Sequence, residues 1–318
     1  MGVLRYRPGL PGDLARATPF LDAERRCFSQ RVFENLPGLW TDLLTRRAAR
    51  CYIAEDQAKS AIKWFGFSAF VNPGALRCAL EDPSMPFRES LFQSALRRRG
   101  VFLDPEEIAE ANRGRTLVLA ILLCRPYTDA LPQDESAVLF RLAYDSFCFT
   151  HAGFGLGAVW QEVGDPERAQ VLENMGLLPC RKSAGGNGPE QTLLTYTPER
   201  AVEHPSYAMS LIFNSHPPRF GFSRVQQELL EAALLDLSDR DFRHQSGVTQ
   251  DAVKKRWRAI YDRVSSIDPW LVTAGLPGSD QRRVLLGYLR QHLEELRPIS
   301  PAVRGETHPR SEGAVSGS

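Results

Sequence analysis

Eight consecutive apolar residues, Leu117–Cys124 (LVLAILLC), closed by Arg125-Pro126, limit the fold more than any other stretch of the chain. The run is far below the roughly 18–20 residues needed to cross a bilayer. It has no polar alternation, so it reads as a strand buried on both faces. Around it the pattern is mixed. Arg50–Glu55 (RCYIAE) and Lys63–Val71 (KWFGFSAFV) are rich in aromatic and branched residues and bounded by turns, as a hairpin would be. Residues 84–113 look helical. Asp134–Phe149 places apolar residues at 138, 139, 142, 143 and 149, one face of a helix. Gly157–Val163 and Gln191–Tyr196 read as strands, and Asp165-Pro166 opens a short helix that stops at Gly176. Strands that alternate with helices define an α/β domain.

The chain is 318 residues long, enough for two domains. Its 39 basic and 38 acidic side chains nearly balance, so any nucleic-acid contact has to come from a local patch. The N-terminus has no apolar signal core, and Tyr6 stands where a myristoylation site needs Ser or Thr. These features predict a soluble, cytoplasmic protein without membrane contact. The six cysteines lie 24 or more residues apart with no CxxC pair, and the histidines are scattered, so no metal site or cofactor is assigned. The cysteines read as reduced, packed thiols.

Over about residues 3–200 the element order resembles the GCN5-related N-acetyltransferase fold. LRYRPGLPGDLARATPFL is similar to that family's first strand and helix. RCYIAEDQ and KWFGFSAFV are similar to its second and third strands, and WQEVGDPERAQVLENMGLLP to its later strand-then-helix signature. The resemblance implies an acetyl-CoA site, with a Q/R-x-x-G-x-G/A loop after the fourth strand offering backbone N–H groups to the pyrophosphate. Here that loop reads CRPYTDALPQDESAV: it has no glycine, Pro132 has no N–H to give, and Asp129, Asp134 and Glu135 would repel a diphosphate. The domain is therefore expected to sense or interact, to bind no acetyl-CoA and to hold no catalytic residue. The Gly153, Gly155 and Gly157 cluster follows a helix and precedes a strand, the reverse of a nucleotide loop, and reads as a plain turn.

Residues 222–264 carry start signals for three helices. Ser223 with Gln226 forms a capping box, Ser238 caps a second helix over Asp239–Gln245, and Thr249 caps a third after the turn at Gly247. On the third helix Val253, Trp257, Ile260, Tyr261 and Val264 make one apolar stripe, while five basic residues outnumber two acidic ones elsewhere. This stretch resembles the LuxR-type DNA-binding domain through Phe222-Ser223, Leu237–Phe242, Gly247-Val248-Thr249, Val253-Lys254 and Ile260-Tyr261. A sigma-factor region-4 domain is similar but lacks the Ile-Tyr pair. Arg243, Ala252 and Ala259 depart from the family pattern. The resemblance implies a sequence-specific DNA-binding transcriptional regulator of bacterial type that is not an enzyme. Its helix at 249–263 would read the major groove through Thr249, Gln250, Val253, Lys254, Lys255, Arg256 and Arg258. Implied partners are double-stranded DNA, RNA polymerase and a second copy of the chain; the ligand of the N-terminal domain is left open. No tryptophan-rich autoinducer motif and no phosphoacceptor receiver pattern is visible. The alternatives are a GCN5-related acyltransferase carrying a DNA-binding domain, and a scaffold whose basic helix binds protein. The expected division is an α/β acetyltransferase-like domain at 1–204, a linker at 205–219, an all-α helix-turn-helix domain at 220–297 and a disordered tail at 298–318. The helix at 280–297 would either pack on its own domain or form a dimer.

Overall fold

The computed structural model describes residues 4–59, 61–126, 133–184, 190–203, 210–272 and 278–298. The chain runs β1 (Leu4–Pro8), α1 (Thr18–Asp22), α2 (Gln30–Thr45), β2 (Ala49–Asp56), β3 (Ala61–Val71), α3 (Pro73–Glu81), α4 (Phe87–Arg97), α5 (Pro105–Arg113), β4 (Leu117–Pro126) and α6 (Gln133–His151). It continues through β5 (Leu156–Val163), α7 (Pro166–Asn174), β6 (Leu178–Ala184), β7 (Glu190–Tyr196) and α8 (Pro198–Glu203). It closes with α9 (Arg224–Leu234), α10 (Asp239–Ser246), α11 (Gln250–Ile267) and α12 (Gly278–Leu289).

The apolar run becomes β4, fourth in a seven-stranded sheet ordered β1-β2-β3-β4-β5-β7-β6. Every neighbouring pair is antiparallel except β4 with β5, which the α6 crossover makes parallel. Both faces of β4 are covered, which is why its sequence never alternates. On one face α2 lays Trp40 flat on Phe67, with ring centroids 4.3 Å apart, in a core shared with α1, α3 and α4. On the other, α6 and α7 pack Leu139, Phe147 and Ala169 against Leu119 and Val159. Burying each large apolar side chain contributes roughly 1.5–3 kcal/mol. The N-terminal region is thus a mixed sheet with flanking helices. No described helix is long and apolar enough to cross a membrane.

A third core gathers Phe220, Leu230, Phe242, Trp257 and Ile260 with Leu285, Leu289 and Leu293. The start signals read from the sequence are present: Ser223 and Gln226 exchange their capping bonds, Thr249 accepts from the N–H of Ala252, and Gly247 takes the left-handed φ of 67° that ends α10. Leu285, Leu286 and Leu289 of α12 are buried in this core, so the helix, which ends at Leu289 rather than 297, packs on its own unit while Val284 stays exposed.

Helices and sheet are tightly joined. Arg47 donates to Glu228 at 2.7 Å, and Arg5 to the carbonyl of Leu235 at 2.6 Å. Gly153, at φ 85°, lets the end of α6 approach the backbone of Glu294; an added Cβ would sit 2.4 Å from its nitrogen. Residues 210–215, expected within a linker, also pack on the sheet unit. Ile212 is fully buried, Phe213 lies 5.4 Å from Tyr196, and Arg115 donates to the carbonyl of Ser215. The expected disordered tail, apart from Pro298, lies outside the described residues.

Candidate functional site

The parallel pairing of β4 with β5 runs from Leu117↔Leu156 to Ile121↔Gln161 and then stops. β4 continues to Pro126 held by β3 alone, and β5 to Val163 held by β7 alone. The two strands separate at their carboxyl ends around a small polar cleft. Backbone groups facing such a gap have lost their ladder partners and need others. Side chains supply two of them: Arg88 donates to the carbonyl of Leu122 at 3.2 Å, and Arg168 to that of Cys124.

Charged groups dominate the lining. Glu162, on β5, receives the N–H groups of Phe87 (2.5 Å) and Arg88 (3.2 Å) and so caps the start of α4. The Arg88 side chain is 5% exposed. Its Nε reaches Glu162 at 3.4 Å, its Nη1 reaches Glu24 at 2.9 Å, and its Nη2 reaches Gln191 at 3.4 Å. Arg125 holds the other oxygen of Glu24 at 2.8 Å. Burial works to raise the Glu24 pKa, but Arg88, Arg125 and Arg168 outweigh it and hold the carboxyl below its usual value. Burial likewise opposes the charge on Arg88, and Glu24 with Glu162 more than restores it. Burial raises the thiols of Cys124, in the lining, and Cys27, beside Glu24. Neither is a ready thiolate. Among the described residues no group of three His, Cys, Asp or Glu is placed to hold a metal ion.

Local sequence does not mark this site. Glu24 sits before a single 3-10 turn, Arg88 in the helices between β3 and β4, and Glu162 in β5. Only the Asp165-Pro166 start of α7, which carries Arg168, has a readable signal.

A second juxtaposition is sealed. Ser68 Oγ lies 2.7 Å from His151 Nε2, and both residues are fully buried. His151 Nδ1 faces the carbonyl of Phe147 at 2.8 Å, so it carries the proton and Nε2 accepts from Ser68. No substrate reaches this pair; it is a satisfied core histidine.

The residues expected to read DNA lie in the C-terminal helices, apart from the cleft. Thr249 is used as the cap of α11. Gln250, Lys254, Lys255 and Arg258 are exposed and Arg256 is half-buried. Val253 is a correction: at 1% exposure it belongs to the core stripe and offers no surface to a groove. The loop judged unfit for a pyrophosphate, residues 127–132, lies outside the described residues, as do the side chains of Asp134 and Glu135.

No protein-family model and no curated protein matches the chain. Among solved structures it is similar to a spermidine N-acetyltransferase from Vibrio cholerae, at 13% identity, covering 62% of this chain and 94% of that one with a TM-score of 0.37. A mosquito arylalkylamine N-acetyltransferase-like protein aligns at 10% identity over 61% of this chain and 100% of the other, with a TM-score of 0.38. The C-terminal condensation domain of Ebony aligns at 10% identity over 62% and 100%, with a TM-score of 0.34. The expectation of a DNA-binding, non-enzymatic regulator of LuxR type is corrected on this finding. The neighbours named by activity are N-acetyltransferases, none of the three is described as a DNA-binding protein, and nothing supports a LuxR-type unit. The basic surface of α11 is the solvated side of an amphipathic helix whose other side fills a core.

Proposed function

We propose that the chain is an acyltransferase that moves an acyl group from a thioester donor to an amine at the split between β4 and β5. One observation carries this reading: two parallel strands separate at their carboxyl ends around a polar cleft. In open α/β sheets that position is where ligands enter. Keeping strand backbone unpaired is costly unless an occupant or side chain answers it. The resemblance of the fold to acetyltransferases agrees with the reading.

In such a transfer the amine attacks the thioester carbon, negative charge builds on the carbonyl oxygen, and the thiolate departs. Both oxygens of Glu162 are committed as acceptors and Glu24 is held ionised between arginines. The amine proton therefore passes to solvent.

For residues 222–264 we keep the helix-turn-helix only as a description of how α9, α10 and α11 pack. The division of the chain near residues 204 and 220 is kept because the buried residues of the third core all come from residues 220–296, with Phe149 and Ala152 of α6 packed against them. The functional reading is tested by incubating the full chain with acetyl-CoA and a panel of amines and following free CoA thiol and acetylated product. Product dependent on the protein supports it; no product with any amine, together with no acetyl-CoA binding, refutes it.

A further inference from the structure

Arg88 and Arg168 line the cleft with Glu24 and Glu162, and the Glu162 carboxylate also faces the start of the eleven-residue helix α4. Arg88 is consumed between the two glutamates and Arg125 is on Glu24. Arg168 is left: its one bond is to a neutral carbonyl, that of Cys124, and no described carboxylate lies within ion-pair distance of it. Its neighbours on the first turn of α7 do not serve. The Asp165 carboxylate is turned onto the N–H of Glu167, and both residues are exposed. Arg168 itself is half-buried and lines the cleft. A guanidinium taken partly out of water with only a carbonyl partner has donors to spare, and a planar carboxylate matches two of them at once.

We infer that the cleft takes an amine acceptor that also carries a carboxylate, such as an amino acid, with the carboxylate on Arg168. This rests on the acyltransferase reading, because the carboxylate is assigned to the molecule that meets the thioester there. Arg168 lies on the first turn after β5, and the opposite wall is β4 beyond Ile121. A carboxylate held on Arg168 leaves the rest of a small acceptor directed into the split.

Two arms on the full chain separate the claims. In the first, calorimetry with succinate and with neutral succinamide reads carboxylate recognition without any acyl donor. Saturable succinate binding, no succinamide binding, and at least a tenfold loss of succinate affinity in Arg168→Gln are expected, with the variant's fold checked by its melting curve. No succinate binding, or equal binding in the variant, overturns the inference whatever the enzyme does. In the second, acetyl transfer to amino acids is compared with transfer to their amides. A preference of tenfold or more for the acids, lost in Arg168→Gln, supports the assignment, and equal rates overturn it. Succinate binding without transfer to any amine would overturn the acyltransferase reading and, with it, the acceptor.

Discussion

Replacing His151 with glutamine should remove most of the acid sensitivity of this fold between about pH 6.5 and pH 4.5. Burial is the largest influence on this imidazole and pushes its pKa from the usual 6.5 down to about 3. The Phe147 carbonyl acts the other way, and the nearby charges of Arg50 and Arg297 depress it further. The folded chain therefore keeps His151 neutral where the unfolded chain protonates it. The stability tied to this group is fully present above pH 6.5 and is lost as pH falls toward the folded value. Each pH unit below 6.5 costs about 1.4 kcal/mol, so roughly 2.7 kcal/mol is gone by pH 4.5. Carboxylates held low by arginines, Glu24 and Glu231, lose their contributions only below their ordinary range near 4.5. They do not confuse this window. A glutamine at 151 can still donate to Phe147 and accept from Ser68 but does not titrate. Urea midpoints at about pH 7 and about pH 4.5, for wild type and His151→Gln, give the answer. Equal losses of stability in the two proteins would refute the reasoning.

Three other perturbations follow from the packing. Arg88→Met strands Glu24 and Glu162 in a buried site and should cost about 3–5 kcal/mol, read as a fall in urea midpoint; a change below 1 kcal/mol contradicts the network described. Trp257→Ala removes a side chain that is 7% exposed, stacked on Tyr261 and covered by Arg282 at 4.4 Å. The expected loss is about 3–5 kcal/mol, and unaltered unfolding of the C-terminal helices contradicts it. Gly153→Ala forces a Cβ against the backbone of Glu294 and should loosen the helices from the sheet. Faster amide exchange in residues 293–297 is the expected signature, and unchanged exchange there counts against a close joint.

Elements with one strong local signal were legible in the residues. The unbroken run at Leu117–Cys124, the caps at Asp165, Ser223, Ser238 and Thr249, and the stripe through Trp257 all report short-range physics. α2 was hidden by Pro37-Gly38 in its interior, a break that the burial of Leu36 and Trp40 overrides. β6 begins Leu178-Pro179 at the sheet edge, where proline is tolerated and the pattern is weak. The stretch 84–113, read as continuously helical, is broken between α4 and α5 by Gly100 at φ 83° and by the Asp104-Pro105 start. The cleft was invisible for a different reason. Arg88 meets Glu24, Glu162 and Gln191 across 64, 74 and 103 residues of chain, and only the folded sheet brings them together. The basic side of α11, by contrast, was conspicuous in sequence and misled the functional reading, because charge on an exposed helix face is as much a matter of solubility as of recognition.

The proposed reaction requires an acyl thioester to enter the gap between β4 and β5. Amide hydrogen exchange of the full chain with and without acetyl-CoA tests it at the residues concerned. Protection is expected at residues 121–126 of β4, residues 161–164 at the end of β5, and the first turn of α7, with little change in α9, α10 and α11. No protection anywhere at millimolar acetyl-CoA, or protection confined to the C-terminal helices, would contradict the account.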